Sequence, residues 1–372
     1  MAWRDRLVLP GQRKLAKLAH HNWLSTTRGR PGRNGPAAMT AATALPVVRI
    51  GLLGAARIAP AALLRPVRRV PEARVVAVAA RDQRRAQALA RRYGLGRVHP
   101  SYAALVADPE IDAVYNPLPN GLHAEWSLRA LAAGKHVLCE KPLALNAAEA
   151  EQMATAATRS GLVLAEAFHY RSHPLAARLK AIVDSGELGR LRHLEAHLCV
   201  PLPRPGDIRY SYALGGGATM DLGCYTINLL RYLAGAEPVV VRARARLAAP
   251  QVDRFMAAEL LFPDACTGRI VCSLFSVRLV CSRAWVHGEQ GELRVTWPFH
   301  PHLYHRVVVR AGGKARVERV PGETTFTHQL RAFVAAVRGQ SRMATDARDA
   351  VANLRVIDAV YAQAGLKPRG RP

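Results

Sequence analysis

Features typical of membrane proteins and of disulfide-bonded proteins are missing from this 372-residue chain. No stretch approaches about 18 unbroken apolar residues, which argues against a membrane-spanning helix. The six cysteines form no CxxC pair and follow neither a zinc-ligand spacing nor a small disulfide framework. We therefore expect free thiols in a reducing, cytoplasmic compartment, no metal site, and two domains, because the chain is long for one.

Acidic and aromatic residues are also scarce. Only 27 Asp and Glu oppose 53 Lys and Arg, which leaves a net charge of +26, and aromatics make up 6% of the chain. Such an excess of positive charge would attract nucleic acid or an anionic membrane. The sequence has no recognition-helix or RNP-like motif, however, and few aromatic side chains on which bases could stack. We expect a solvated arginine-rich surface, with no specific nucleic-acid partner and no membrane partner.

The N-terminal segment differs in composition from the rest. Residues 1–39 contain eight cations and one acid, Asp5, and their scattered apolar residues do not form the hydrophobic region of a secretory signal. We predict a basic disordered arm and linker over residues 1–45. A start of translation at Met39 is favoured over the alternative, a targeting or nucleic-acid-binding tail.

From residue 46, apolar strands alternate with amphipathic helices. The predicted strands are VVRIGLL (47–53), RVVAVAA (74–80), a short strand near Val98, DAVYN (112–116), KHVLCE (135–140) and LVLAEAF (162–168). The helices expected between them include one from about Ile58 and one that Asp82 could cap and Gly94 ends. Strands separated by helices of about ten to fifteen residues indicate a parallel sheet with right-handed crossovers. We predict an N-terminal Rossmann domain, a doubly wound parallel α/β sheet, over residues 46–168.

A period-two alternation without intervening helices follows residue 168. The alternating runs are 191–200, 238–247, 256–262, 268–275, 282–288 and 291–297. They predict a large, mainly antiparallel, open-faced sheet with one polar face. The expected helices are 222–234, 324–338 and 346–364. We predict an α+β domain for substrate binding and oligomerisation over residues 169–366, followed by a tail over 367–372.

The turn after the first predicted strand reads 51-GLLGAARIA-59. Aligned on the dinucleotide fingerprint, Gly54 makes the tight turn, Ala56 lets the backbone approach a pyrophosphate, and Ala59 permits close helix packing. Because alanine replaces two of the three glycines, an ordinary small-residue turn is the alternative interpretation. The predicted cofactor-binding residues here are Gly51, Gly54, Ala55, Ala56, Arg57 and Ile58.

The end of the second strand indicates which dinucleotide binds. An acidic residue there would bind the ribose 2′-hydroxyl, whereas this chain has Ala80 followed by Arg81. A guanidinium at this place favours a 2′-phosphate. We predict NADP as the cofactor, with NAD as the less favoured alternative. Asp82 could contact the ribose or cap the following helix.

The stretch 116-NPLPNGLHAEWSLRALAAGKHVLCEKP-142 resembles the glucose–fructose oxidoreductase, inositol dehydrogenase and MocA family. Asn116 follows the fourth strand, His123 opens a helix, and Glu140-Lys141-Pro142 ends the next strand. The similarity covers about residues 47–366. Within the family, the segments GAARIAP, NPLPNGLH, EKP and GCY are most similar to the dihydrodiol dehydrogenase branch.

Lys141 is the first catalytic candidate that this resemblance implies. A lysine at the end of a parallel strand, beside a nicotinamide, can hold a substrate hydroxyl and stabilise negative charge on its oxygen. In this family a cis peptide before Pro142 aims the lysine, whereas a surface salt bridge with Glu140 is the alternative. The remaining predicted cofactor-site residues are Asn116, Pro117, Asn120, His123, Glu140 and Lys141 itself.

A second constellation lies in 215-GGGATMDLGCYTINLLRYL-233, where Asp221, Tyr225 and Asn228 are spaced to share one helix face. The family often has histidine where this chain has Tyr225. That departure agrees with the dihydrodiol branch, which implies proton transfer by this tyrosine. Lys141 should lower the pKa of the phenol, and Asp221 should orient Lys141 or the substrate. A helix cap at Asp221 with a packing tyrosine is the alternative.

Further substrate-binding residues are predicted around the mouth of the crevice. Tyr170 and Arg171 lie in 166-EAFHYRSHP-174, at the end of the sixth strand. His169 and His173 in the same segment lack an acidic third ligand, so we expect no metal there. The Pro-rich loop 200–210 either closes over the substrate or merely connects. The predicted substrate-binding residues are Tyr170, Arg171, Asn228 and Arg209.

Together these residues predict an NADP-dependent dehydrogenase or reductase acting on CH–OH groups. It would transfer hydride between the nicotinamide and a sugar, a polyol or a trans-dihydrodiol, with Lys141 polarising the oxygen and Tyr225 moving the proton. The alternative is a non-catalytic dinucleotide-binding regulatory protein of the same fold, which would need neither residue. The resemblance also implies a homodimer or homotetramer.

Overall fold

The structure is a computed structural model that describes residues 46–202, 204, 206–276 and 279–370. The basic arm predicted over residues 1–45 lies outside the described residues. The chain from Leu45 onward clusters as one unit that contains two sheets. Within the described ranges, no helix combines the length and the apolar character needed to cross a membrane.

The first sheet has six parallel strands in the order β3-β2-β1-β4-β5-β6. The strands are β1 Val48–Leu53, β2 Ala73–Ala79, β3 Arg97–His99, β4 Ala113–Asn116, β5 His136–Cys139 and β6 Leu164–Glu166. The α-helices that connect them are α1 Gln83–Tyr93, α2 Tyr102–Val106, α3 His123–Ala132 and α4 Ala147–Ser160. This order confirms the predicted Rossmann fold. It places the switch in strand order between β1 and β4, where such sheets bind ligands.

Local sequence explains the boundaries of several elements. The Asp82 carboxylate accepts hydrogen bonds from the backbone N–H groups of Arg84 and Arg85, so Asp82 is the cap of α1. Gly94 ends α1 in the left-handed conformation, with φ of 68°. The helix expected from Ile58 is instead a π-helical turn at Pro60–Leu64 followed by a 3₁₀ turn at Pro66–Arg69. Pro66 lacks the N–H group that a continuing α-helix would use.

The second sheet has eight strands in the order β14-β13-β12-β11-β7-β10-β9-β8. The strands are β7 Leu191–Cys199, β8 Val239–Ala249, β9 Val252–Leu261, β10 Thr267–Ser273, β11 Cys281–Gly288, β12 Gly291–Thr296, β13 Arg306–Ala311 and β14 Lys314–Glu318. The pairing of β7 with β10 is parallel, and the other neighbouring pairs are antiparallel. The predicted mainly antiparallel sheet is confirmed. The edge pair β13 and β14 was not predicted, and β14 is polar and exposed along most of its length.

Four helices accompany this sheet, namely α5 Pro174–Asp184, α6 Cys224–Ala234, α7 Thr325–Val337 and α8 Ala347–Gln363. Of these, α5 was not predicted. The helix α6 packs on β7 and β10, and α8 contacts β8, α6 and α4. The helix α7 packs on the two short helical turns that follow β1. The last two helices thus return to the first sheet and hold the two halves of the chain together.

A tail was predicted over residues 367–372, but Arg369 in this segment is buried. Its Nη2 lies 3.0 Å from Asp253 Oδ1, and its Nε donates to the Gly216 carbonyl at 2.9 Å. Its guanidinium lies 4.1 Å from the centroid of the Tyr361 ring. The segment is held because Arg369 compensates the charge of a carboxylate that is itself fully buried.

Candidate active site

A cavity of about 1110 Å³ is lined by residues of both halves of the chain. Sites for single small ligands commonly measure about 300–1,000 Å³, so this cavity can hold an extended cofactor and a second molecule. One end is formed by the turn after β1. The other end is formed by the segment before α6 and by residues around 297–303.

The turn at Gly54 brings backbone to the cavity. Gly54 has φ of 84°, and a Cβ on it would lie 2.9 Å from Leu118 Cδ2, so the position requires glycine. The next four residues, through Ile58, also line the cavity, as the fingerprint predicted. Gly51 requires a correction. It does not line the cavity, and its missing side chain leaves room for Leu105 and Ile111, whose methyl carbons would lie 2.7 and 2.8 Å from a Cβ.

Three guanidinium groups stand near the end of β2, on Arg57, Arg81 and Arg85, and all three residues are exposed and line the cavity. Arg85 was not predicted, although it lies one helical turn after Arg81, and its Nη2 donates to the Ala55 carbonyl at 2.8 Å. Of the nearby carboxylates, that of Asp82 caps α1 and that of Asp207 lies 3.5 Å from Arg57 Nη2. The arrangement therefore suits an anionic group.

Asn116 and His123 are buried and do not line the cavity, and their role as cofactor contacts stays a prediction. Asn116 Nδ2 donates to the His123 carbonyl at 3.2 Å. The two ring nitrogens of His123 each lie 2.8 Å from a carbonyl oxygen, that of Pro142 and that of Leu118. Burial lowers the pKa of His123 to about 4. Both residues hold the turn from which Pro117 and Asn120 reach the cavity.

Lys141 lies two residues after the end of β5, and its ammonium group is bonded to Asp221. Lys141 Nζ donates to Asp221 Oδ1 at 2.9 Å and to the Asp221 carbonyl at 2.8 Å. The peptide between Lys141 and Pro142 is cis, as the resemblance implied. Burial acts to lower the pKa of Lys141, but the charge and hydrogen bond of Asp221, together with Cys224 and Glu140, raise it. Lys141 is therefore a charged donor fixed beside the cavity, rather than a surface ion pair with Glu140.

A second cation holds the other oxygen of Asp221. Arg209 Nε donates to Asp221 Oδ2 at 2.7 Å, and Arg209 Nη1 donates to Asp207 Oδ1 at 3.1 Å. Asp207 in turn lies 3.5 Å from Arg57 Nη2 of the Gly54 turn. Although burial acts to raise the pKa of Asp221, Lys141 and Arg209 together lower it. Arg209 lines the cavity, so the Pro-rich loop contributes to the site.

Tyr225 lies in the same cavity, and the centroid of its ring is 5.0 Å from Lys141 Nζ. The structure therefore brings together the predicted lysine, aspartate and tyrosine. The expectation for the phenol was wrong, however. Burial raises the pKa of Tyr225 well above its ordinary value, and Glu140 and Asp221 add to the effect.

Tyr170, Arg171 and Asn228 do not line the cavity, and their role as substrate contacts stays a prediction. Tyr170 Oη donates to Asn228 Oδ1 at 2.6 Å, and Asn228 Nδ2 donates to Asp349 Oδ2 at 3.0 Å. Thr219–Gly223 is a π-helical turn and the α-helix begins only at Cys224, so Asp221 precedes the α-helix that carries Tyr225 and Asn228. These three polar residues form a buried network behind Tyr225.

Several residues of the cavity lining were not predicted. They are the aromatic pair Tyr102 and Trp126, whose ring centroids lie 5.1 Å apart edge to face, and Trp297, His169, His300 and Phe326. Trp126 follows the turn residue His123 by less than one helical turn, so its place in the cavity lining could have been predicted. Residues 297 and 300 follow a strand in a segment without any motif. In the described part of the chain, no group of three or more metal-ligating side chains could hold an ion.

Glu166, at the end of β6, is a buried carboxyl group in the wall behind the site. Its Oε1 accepts a hydrogen bond from Leu143 N at 2.9 Å, and its Oε2 has no hydrogen-bond partner among the described residues. Burial, reinforced by the charge of Asp349, raises the pKa of Glu166 from 4.5 to about 8. The native protein thus retains this proton at a pH where the unfolded chain has lost it.

Replacing Glu166 with glutamine should therefore change how stability depends on pH. The stability lost through the raised pKa of Glu166 is absent below pH 4.5, grows as the pH rises from 4.5 to about 8, and is constant above that. Between about pH 5 and pH 8, the wild-type free energy of unfolding should fall by about 3 kcal/mol relative to that of Glu166→Gln. Guanidinium unfolding at both pH values measures this difference. Parallel pH dependences of the two proteins would contradict it.

The fold and the cavity define a class of protein. A doubly wound sheet carries a glycine turn at its switch in strand order, and a lysine faces a tyrosine in the same cavity. This is the arrangement of a nicotinamide-dependent oxidoreductase.

The family model described as "Oxidoreductase family, NAD-binding Rossmann fold" matches residues 48–168. The model of the GFO/IDH/MocA C-terminal domain matches residues 176–294. The chain belongs to the GFO/IDH/MocA family, as residues 116–142 indicated.

Named relatives match most of the chain. D-xylose 1-dehydrogenase (NADP(+)) 2 from Haloferax volcanii is 33% identical over 84% of this chain and 96% of its own. Trans-1,2-dihydrobenzene-1,2-diol dehydrogenase from Oryctolagus cuniculus is 36% identical over 61% of this chain and 69% of its own, in agreement with the predicted relation to that branch. A crystal structure of a 3-ketoreductase from Actinomadura kijaniata, in complex with NADP and TDP-benzene, is 31% identical. It covers 88% of this chain and 100% of its own, with a TM-score of 0.79. The chain is accordingly a dehydrogenase or reductase, as predicted.

Proposed function

We propose that this protein is an NADP-dependent oxidoreductase that interconverts a hydroxyl and a carbonyl group on a sugar or a related hydroxylated small molecule. The observation that carries the proposal is the meeting of Lys141 and Tyr225 in one cavity, 5.0 Å from ammonium nitrogen to ring centroid. The lysine comes from the end of β5 and the tyrosine from α6, so the two halves of the chain each supply one group.

The lining of the cavity fits a dinucleotide phosphate. The strained Gly54 turn exposes backbone to the cavity, and Arg57, Arg81 and Arg85 supply positive charge where a 2′-phosphate would be bound. When bound there, the nicotinamide supplies hydride transfer. Relatives and structural neighbours that use NADP support this choice of cofactor over NAD.

The protein's own residues handle the oxygen and the proton. Lys141, held by Asp221, donates a hydrogen bond to the substrate oxygen and stabilises the negative charge that develops on it during carbonyl reduction. Tyr225 gives a proton to that oxygen in reduction and accepts one in oxidation. Arg209 keeps Asp221 ionised and in place. Asp221 is thus the group that orients Lys141.

The relatives narrow the substrate class. One is named for xylose and one for a trans-dihydrodiol, and the structural neighbour is a 3-ketoreductase bound to a TDP compound. We infer a sugar or nucleotide-linked sugar first, with a polyol or trans-dihydrodiol as the alternative. We also infer assembly into a homodimer or homotetramer, for which the exposed valines 239 and 241 on the edge strand β8 offer apolar surface.

A substrate panel tests the function directly. Purified protein with NADP or NADPH is incubated with aldoses, ketosugars, TDP-linked ketosugars, polyols and trans-dihydrodiols, and the absorbance of the reduced nicotinamide is followed. Turnover of at least one class is expected. NADP binding without turnover of any class would instead favour the non-catalytic regulatory protein of the same fold, to which Lys141 and Tyr225 would be dispensable.

Arg81 should determine the cofactor preference. Replacing it with alanine is expected to raise the KM for NADP by about 10- to 100-fold and to leave that for NAD unchanged, because a charge-assisted hydrogen bond contributes about 1.5–3 kcal/mol. Steady-state kinetics with both cofactors measure this. Arg84→Ala is the matched control, because Arg84 is an exposed arginine of α1 outside the cavity lining. Equal effects of Arg81→Ala on the two cofactors would contradict the assignment.

A further inference from the structure

The hydroxyl of Tyr225 has a partner that the proposed mechanism does not yet use. Tyr225 Oη lies 3.1 Å from His169 Nε2, and among the described residues it has no other hydrogen-bond partner. His169 follows β6 in the segment 166-EAFHYRSHP-174 and lines the cavity. An imidazole thus stands directly behind the proposed proton donor.

The imidazole ring is held firmly. Its centroid lies 4.3 Å from that of Phe326 and 5.0 Å from that of His300. His169 Nδ1 is buried and has no hydrogen-bond partner among the described residues. Burial lowers the pKa of His169 well below its ordinary value, and His300, His302 and Lys141 add to the effect. The ring is therefore neutral before reaction, and in the tautomer protonated on Nδ1 its Nε2 accepts the Tyr225 hydroxyl.

Tyr225 on its own is poorly suited to lose its proton in this cavity. Burial beside Glu140 and Asp221 disfavours a phenolate on Tyr225. A base in contact with the phenol removes the difficulty, because the phenol can then take one proton and release another at the same time. His169 Nε2 occupies the place that such a base requires.

We propose, on the basis of the proposed function, that His169 is the transient proton acceptor behind Tyr225. In oxidation, the alcohol carbon gives its hydride to the cofactor, and the alcohol O–H bond breaks as its proton passes to Tyr225 Oη. The original phenolic proton passes to His169 Nε2. The phenol is restored, and the one new charge is an imidazolium. Reduction runs the same transfers backwards from protonated His169. The neighbouring His300, which lines the cavity, offers the exit toward solvent.

Glutamine at position 169 separates proton transfer from positioning. The amide oxygen in His169→Gln can still accept the Tyr225 hydroxyl, but it cannot take up a proton at neutral pH. We expect kcat to fall by about 10²-fold with the KM values unchanged. The rate in mixtures of H₂O and D₂O should curve for the wild type, because two protons move together, and should be linear for His169→Gln.

A steric control and a measurement without turnover complete the test. Phe326→Leu loosens the packing of the same ring without removing its proton-accepting nitrogen, so its H₂O/D₂O dependence should remain curved. In ¹⁵N NMR of histidine-labelled protein, His169 Nε2 should be an unprotonated acceptor whose resonance moves in Tyr225→Phe. Wild-type kcat and a curved isotope dependence in His169→Gln would overturn the relay. A wild-type protein that turns over nothing would overturn the proposed function instead, and the NMR measurement would still report on the hydrogen bond.

Discussion

Lys141→Met is expected to lower kcat by about 10²- to 10³-fold, because it removes the charged donor that faces the reacting oxygen. Binding of NADP should persist, since the Gly54 turn and the arginines at the far end of the cavity are untouched. Methionine keeps most of the volume of the lysine stem. Steady-state kinetics and calorimetric titration with NADP measure the two effects separately.

The control for this substitution concerns Asp221. Without Lys141, the buried carboxylate retains only Arg209, and a distortion caused by that imbalance could itself reduce the rate. The double variant Lys141→Met/Asp221→Asn removes both charges and so relieves the imbalance. We expect its kcat to remain as low as that of the single variant. Recovery toward the wild-type rate would show that the ammonium group is not needed for turnover.

The parts of the fold that could be predicted are those encoded over short stretches. The helix between the Asp82 cap and the Gly94 stop was predicted because both signals are local. The strands of the first sheet are apolar runs separated by helices, and this alternation indicated the parallel fold. The edge strand β14 could not be predicted, because its sequence KARVE is mostly polar and is held as a strand by pairing with β13.

The residues of the site, too, could be predicted where the signal is local and not where it depends on distant residues. Gly54 and Lys141 were predicted because each ends a strand whose carboxyl edge must face the cavity. The raised pKa of Tyr225 and its contact with His169 depend on burial and on residues distant in the chain, about which spacing says nothing. Asn228 lies three residues after Tyr225 in α6, but its amide is bonded to Tyr170 and Asp349, which spacing along the helix does not indicate.

Arg369→Met should be the most destabilising of the substitutions considered. It leaves Asp253 as an unpaired buried charge, and breaking a buried ion pair in this way costs about 3–5 kcal/mol. Guanidinium unfolding followed by circular dichroism measures the loss. In Arg369→Met/Asp253→Asn both charges are gone, so most of the lost stability should return. Equal instability of the single and double variants would mean that packing, rather than charge, holds the C-terminal segment.

The effect of Arg369→Met should extend to catalysis. Asp253 Oδ2 accepts hydrogen bonds from Thr219 N at 2.8 Å and Thr219 Oγ1 at 2.7 Å, and Thr219 begins the turn that carries Asp221. Arg369 also holds the Gly216 carbonyl in the loop just before this turn. Loosening these contacts displaces Asp221 and with it Lys141. We therefore expect Arg369→Met to lower kcat even at temperatures where the variant is fully folded, while the KM for NADP stays unchanged.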